Sequence, residues 1–132
     1  MLGSFQQCEL RIELDASAAA IGDLLQCPNQ WHRWSPPLPD DTPRDRLPDR
    51  LTPGTHYRRA IGPLVIDHHV QRAENNSLSL LLSGSIDGHH DWRWGDGWVQ
   101  SRLEGISPLP LRLAHSLSLQ ALRQALQHPP KP

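Results

Sequence analysis

The distribution of apolar positions along the chain changes period twice. Cys8, Leu10, Ile12 and Leu14 alternate with Glu9, Arg11 and Glu13, which predicts a strand over 8–14 with one wet face. Asp15 or Ser17 then offers a helix N-cap, and Ile21, Leu24 and Leu25 recur at helical spacing. Pro28 stops that helix and suits the first turn of a second, over 28–34, with Trp31 and Trp34 three apart on one face. Over 35–53 no apolar period is visible. Six prolines fall there (36, 37, 39, 43, 48 and 53), which predicts an extended loop.

From Gly54 onward the period returns to two. Strands are predicted over 56–61, 64–73, 77–86, 89–94 and 98–106, with turns at Gly62-Pro63, Glu74-Asn75-Asn76, Asp87-Gly88 and Gly95-Asp96-Gly97. Turns this short between successive strands make an antiparallel meander. Along these strands Leu64, Ile66, His68 and Val70 share one face, as do Leu78, Leu80, Leu82 and Ile86, and His90, Trp92 and Trp94. After Pro108 and Pro110 a helix is predicted over 111–127, with Leu113, Leu117, Leu122 and Leu126 as its apolar stripe and Leu119 off it. Residues 128–132 are expected to be a disordered tail. The order is strand, two short helices, a meander and a final helix, all in one domain over 1–132. That last helix is the element long enough to cover the sheet's dry face, and a curved sheet around one helix encloses an apolar pocket.

Composition narrows the partners. Basic and acidic residues nearly cancel (13 against 14, net charge −1), so no general phosphate-attracting field exists and nucleic acid is not an expected partner. All the basic residues except Lys131 are arginines, scattered along the chain. No apolar run reaches the 18–20 or so residues of a membrane helix, and the start MLGSFQQCEL has no basic segment followed by a hydrophobic one, so a cytoplasmic location is expected. Cys8 and Cys27 have no zinc-ligand spacing and are expected as reduced thiols. Histidine neighbours on a strand point to opposite faces, so His68-His69 and His89-His90 cannot each chelate one ion, and no metal or other cofactor is expected.

Three segments carry a family resemblance. IELDASAAAIGDLLQCPNQWHRWSP (12–36) pairs an opening strand and an Ala-rich helix with the Trp31/Trp34 helix. LTPGTHYRR (51–59) enters a strand through a Pro-Gly-Thr turn. SGSIDGHHDWRW followed by GDGWVQSRLEG (83–105) has a His-x-Trp strand at His90 and Trp92, a glycine turn at Gly97 and a final strand ending in Glu104-Gly105. In order and spacing these resemble the START-like or SRPBCC superfamily, and within it the polyketide cyclase/dehydrase and lipid-transport group, over most of residues 8–127. The chain departs from that pattern at 35–50, where prolines replace a regular strand.

The resemblance implies an α+β helix-grip fold, a curved antiparallel sheet wrapped around the long C-terminal helix, with a small hydrophobic ligand between them. Aromatic, polyketide-like and lipid-like molecules all fall in that class. Combined with the strand parities, it nominates Ile66, His68, Leu82, His90, Trp92, Trp94, Leu103, Leu113 and Leu117 as cavity lining. His90 and His68 are the candidates for general acid or base chemistry, since an imidazole near its ordinary pKa of about 6.5 is easily tuned for proton transfer. Such an enzyme would be of the cyclase/dehydrase kind, with Tyr57 or an arginine stabilising an enolate. Parity leaves open which of Tyr57 and Arg58 faces in. A third alternative is a protein-interaction module using the proline-rich loop. Fold alone does not choose among these.

Overall fold

The computed structural model describes residues 3–35, 47–61 and 63–127, so most of the proline-rich loop, Gly62 and the 128–132 tail lie outside the described residues. Six strands form one antiparallel sheet in the order β1-β6-β5-β4-β3-β2: β1 Ser4–Glu13, β2 His56–Ile61, β3 Leu64–Glu74, β4 Ser77–Gly84, β5 Asp87–Gly95 and β6 Trp98–Ser107. β2 to β6 are the expected meander, and β1 joins it beside β6 with Cys8 opposite Leu103. Helix α1 spans Ala18–Gln26, a 3₁₀ segment follows over Pro28–Arg33, and α2 spans Leu111–Gln127. No helix among the described residues is long and apolar enough to cross a membrane.

Local chemistry explains the boundaries. Ser17 caps α1 by accepting from Ala20 N at 3.1 Å, and Asp96 Oδ1 takes the Ala18 N–H at 2.7 Å, tying the helix start to the β5–β6 turn. β1 begins earlier than expected, because Ser4–Gln7 pair with Glu104–Ser107 although they show no apolar alternation. The β4–β5 reversal lies at Ser85-Ile86 rather than at Asp87-Gly88. Gly84 supplies the left-handed residue (φ +94°), while Gly88 sits inside β5, where a Cβ would lie 1.9 Å from the Glu104 carbonyl oxygen. The glycine expected in a turn is used for close strand approach instead.

The dry face is continuous across the strands. One row runs Val70, Leu80, His90, Leu103 and Cys8; the next runs Leu78, Trp92, Ser101 and Leu10. α2 packs over β1 and β6, and α1 over β5. α2 buries Leu111, His115, Leu119, Leu122 and Ala125, spaced four, four, three and three. This corrects the expected stripe. Leu113 and Leu117 are 59% and 61% exposed, and neither touches the cavity wall. The true period runs through His115 and Leu119, the polar residue and the supposed exception, because only that spacing keeps one face on the sheet.

Candidate functional site

A cavity of about 150 Å³ lies between the dry face of the sheet, the N-terminal half of α2 and the 3₁₀ segment. The sheet supplies Ile66 and His68 from β3, Leu78, Leu80 and Leu82 from β4, His90 and Trp92 from β5, and Leu103 from β6. α2 supplies Ala114, His115 and Ser118. Trp31 and Trp34 close the far side, held by indole N–H groups that donate to Leu25 O (3.2 Å) and Leu24 O (2.8 Å). Trp34 meets Trp92 edge to face at 6.0 Å. The walls are therefore largely aliphatic and aromatic, with a few polar atoms.

Of the nominated residues, Ile66, His68, Leu82, His90, Trp92 and Leu103 border this cavity. Trp94 does not. It is buried on the same sheet face, but its indole packs against Gly22 of α1, where a Cβ would come within 3.2 Å of Nε1. Two residues farther along β5 than Trp92, it lies under α1 rather than over the cavity. Leu113 and Leu117 point to solvent, as described above.

Tyr57 faces in and Arg58 faces out, where its Nε donates to Asp67 Oδ1 at 2.9 Å and holds that carboxyl below the usual carboxylate range. The Tyr57 ring stacks on His68 (centroids 4.7 Å apart, planes 7° apart). Arg59 also faces the cavity, its guanidinium 4.4 Å from the Trp31 ring centroid, and it donates to Ser35 Oγ. Burial pushes the Tyr57 phenol up, so it stays protonated at neutral pH.

Three histidines border the cavity, and burial is the leading cause that lowers each: His68 to about 3, His115 to about 4 and His90 well below its ordinary value. All three are neutral near pH 7. His68 Nδ1 lies 3.2 Å from the Ile66 carbonyl, which can only accept, so Nδ1 carries the hydrogen and Nε2 is the acceptor. His90 Nε2 and His115 Nε2 both lie 2.9 Å from Ser101 Oγ, and Ser101 and His115 are each 1% exposed. His115 Nδ1 is buried without a hydrogen-bond partner. His69 and His89 face outward, and His69 stacks on His56 across β2 and β3 at 4.2 Å. Among the described residues no three His, Cys, Asp or Glu side chains gather as a metal site.

His115, Ser101 and Arg59 are polar groups that sequence reasoning did not nominate, whereas Tyr57 had been a candidate with its facing left open. The spacing Leu111-His115-Leu119-Leu122 carried the signal for His115. Ser101 alternates with Val99 and Leu103, so its parity was readable, but its bridging role was not.

No family model matches this chain, and no curated protein matches it. Solved structures do. CalU16 from Micromonospora echinospora superposes with a TM-score of 0.70 at 18% identity, covering 96% of this chain and 77% of that one. DynU16, a protein of the dynemicin biosynthetic locus, gives 0.66 at 15% identity over 92% of this chain, which spans about half (47%) of DynU16. Norcoclaurine synthase from Thalictrum flavum, solved with dopamine and hydroxybenzaldehyde, gives 0.64 at 12% identity over 98% of this chain and 91% of that one. At these identities the likeness is one of fold. This chain has the α+β helix-grip fold, a six-stranded antiparallel sheet closed by a C-terminal helix.

Proposed function

We propose that the protein binds a small, ring-bearing hydrophobic molecule in the cavity between sheet and α2. The observation that carries this reading is the cavity itself: about 150 Å³, walled by Leu80, Leu82, Leu103 and the Trp31, Trp34 and Trp92 rings. A space of that size and character holds a single aromatic ring, as an engineered apolar cavity of similar volume holds benzene. It is small for a long acyl chain, which sets a one-ring or two-ring molecule ahead of a lipid. That norcoclaurine synthase is solved with two one-ring molecules on this fold is in keeping with that size.

The histidines favour binding over proton abstraction. A general base works best with a pKa near the working pH. His68 at about 3 and His115 at about 4 hold protons too weakly for that task near pH 7. They serve as neutral hydrogen-bond partners that orient a polar substituent. A cyclase/dehydrase-type enzyme built on His90 or His68 would instead show a bell-shaped pH–rate profile that His90→Ala abolishes.

The test is a titration of the purified chain with phenol, indole and 4-hydroxybenzaldehyde, followed by tryptophan fluorescence and calorimetry. Saturable one-to-one binding is expected. Ala114→Phe, which fills the cavity from α2, should weaken it at least about tenfold, since the ring's buried area is lost. Leu113→Phe, on the exposed face of the same helix, should leave it unchanged. Absence of binding by all three probes, or equal binding to Ala114→Phe, overturns the proposal. Native mass spectrometry of the freshly purified protein would identify any molecule retained from the cell.

A further inference from the structure

Among the described residues, one permanently charged side chain borders the cavity: Arg59. Tyr57 and Arg59 lie two apart on β2, so both reach inward on either side of the outward Arg58. The Arg59 guanidinium carbon is 4.4 Å from the Trp31 ring centroid and 5.5 Å from that of Tyr57. It also donates to Ser35 Oγ. Trp31 belongs to the 3₁₀ segment and Ser35 lies just beyond it, so the guanidinium is held at the cavity wall from outside its own strand.

The rest of that wall carries no opposite charge. Among the described residues that line the cavity there is no Asp or Glu. His68, His90 and His115 are neutral near pH 7, and Tyr57 keeps its proton. The histidines register the reach of the cation: burial leads in lowering His68 and His90, and the charge of Arg59 acts in the same direction on both. In surroundings this apolar a charge is screened less than in water, so it acts more strongly on an incoming ionised group.

Geometry adds to charge. A guanidinium offers five N–H donors in one plane, a fork that matches the two oxygens of a carboxylate. Arg59 has further partners besides Ser35, and five donors let a ligand oxygen join them rather than displace them.

We propose that Arg59 makes this a site for ring molecules bearing a carboxylate, with the ring among Trp31, Trp34 and Trp92 and the carboxylate on the guanidinium. The inference rests on the ligand-binding reading of the cavity and narrows it to a chemical class. A neutral amide of the same shape gains only an ordinary hydrogen bond from Arg59. A ring amine, cationic near pH 7, meets the same charge as repulsion.

Calorimetric titration of the purified chain near pH 7 with benzoate, benzamide and benzylamine tests this, because the three share a ring and differ in charge. Benzoate is expected to bind wild type at least about tenfold more tightly than benzamide, and benzylamine more weakly than either. In Arg59→Gln, which removes the charge and keeps an amide donor, the preference for benzoate over benzamide should fall below about threefold. Arg59→Lys, which keeps the charge without the fork, should fall between the two and serves as the second variant should glutamine unfold the chain. An equal or reversed order in wild type, or a preference for benzoate that survives Arg59→Gln in full, overturns the carboxylate inference. If phenol or indole binds and benzoate does not, the carboxylate inference alone fails and the cavity reading stands. If no ring molecule binds, both fail.

Discussion

His68, His90 and His115 show how position sets the chemistry of a single residue type. Exposed imidazoles such as His69 and His89 sit on the wet face of strands whose inward neighbours, His68 and His90, are held neutral by burial. The cost appears as a pH dependence of stability. In the unfolded chain each histidine takes up a proton near pH 6.5; in the folded chain His68 and His115 do so only near 3 and 4. Between those values the unfolded state binds more protons, so stability is complete above about pH 7 and falls as pH drops through 6.5 toward 4. Each buried imidazole contributes a slope of about 1.4 kcal/mol per pH unit in that window. Urea unfolding is expected to show a midpoint that declines steeply from pH 7 to pH 5. His68→Phe, which keeps a ring on Tyr57, should flatten the slope by about one proton; an unchanged slope would contradict the burial assignment.

At the scale of elements, α2 is the instructive case. Its limits were legible from Pro110 and from the leucine-rich run that follows, yet its buried face was not. Counting leucines alone favours 113, 117, 122 and 126, whereas the packed face is 111, 115, 119, 122 and 125. A histidine on the stripe misled the count because imidazole reads as polar until a partner, here Ser101, is known. The two faces make opposite predictions. Leu119→Ala and Leu122→Ala, each removing a buried side chain, should cost about 2–5 kcal/mol in urea unfolding. Leu113→Ser and Leu117→Ser should stay within about 0.5 kcal/mol of wild type. The strands were more legible than the helix. A period of two has only two phases, and one correct residue such as Leu80 fixes all the others on its strand.

For the whole molecule, the arrangement would couple a molecule bound in the cavity to the fold. The cavity is bounded by strands distant in sequence, by α2 and by the 3₁₀ segment, so a molecule seated there contacts every layer at once. Such a ligand binds the folded state alone. Phenol or indole at about a hundred times its dissociation constant should stabilise the protein by about 2.7 kcal/mol, read as a rise in thermal midpoint that Ala114→Phe does not show. The amino-acid sequence by itself determined the order of elements, the meander, the wet and dry faces of its strands and the inward placement of Ile66, His68, Leu82, His90, Trp92 and Leu103. These depend on local periodicity, turn residues and the alternation of side chains along a strand, which neighbours in the chain specify. Only the tertiary structure decided that Trp94 lies under α1, that Tyr57 rather than Arg58 enters the cavity, and that His115 meets Ser101 and His90. Those outcomes turn on which helix covers which part of the sheet and on the angle at which it does so, quantities set by packing between residues far apart in sequence.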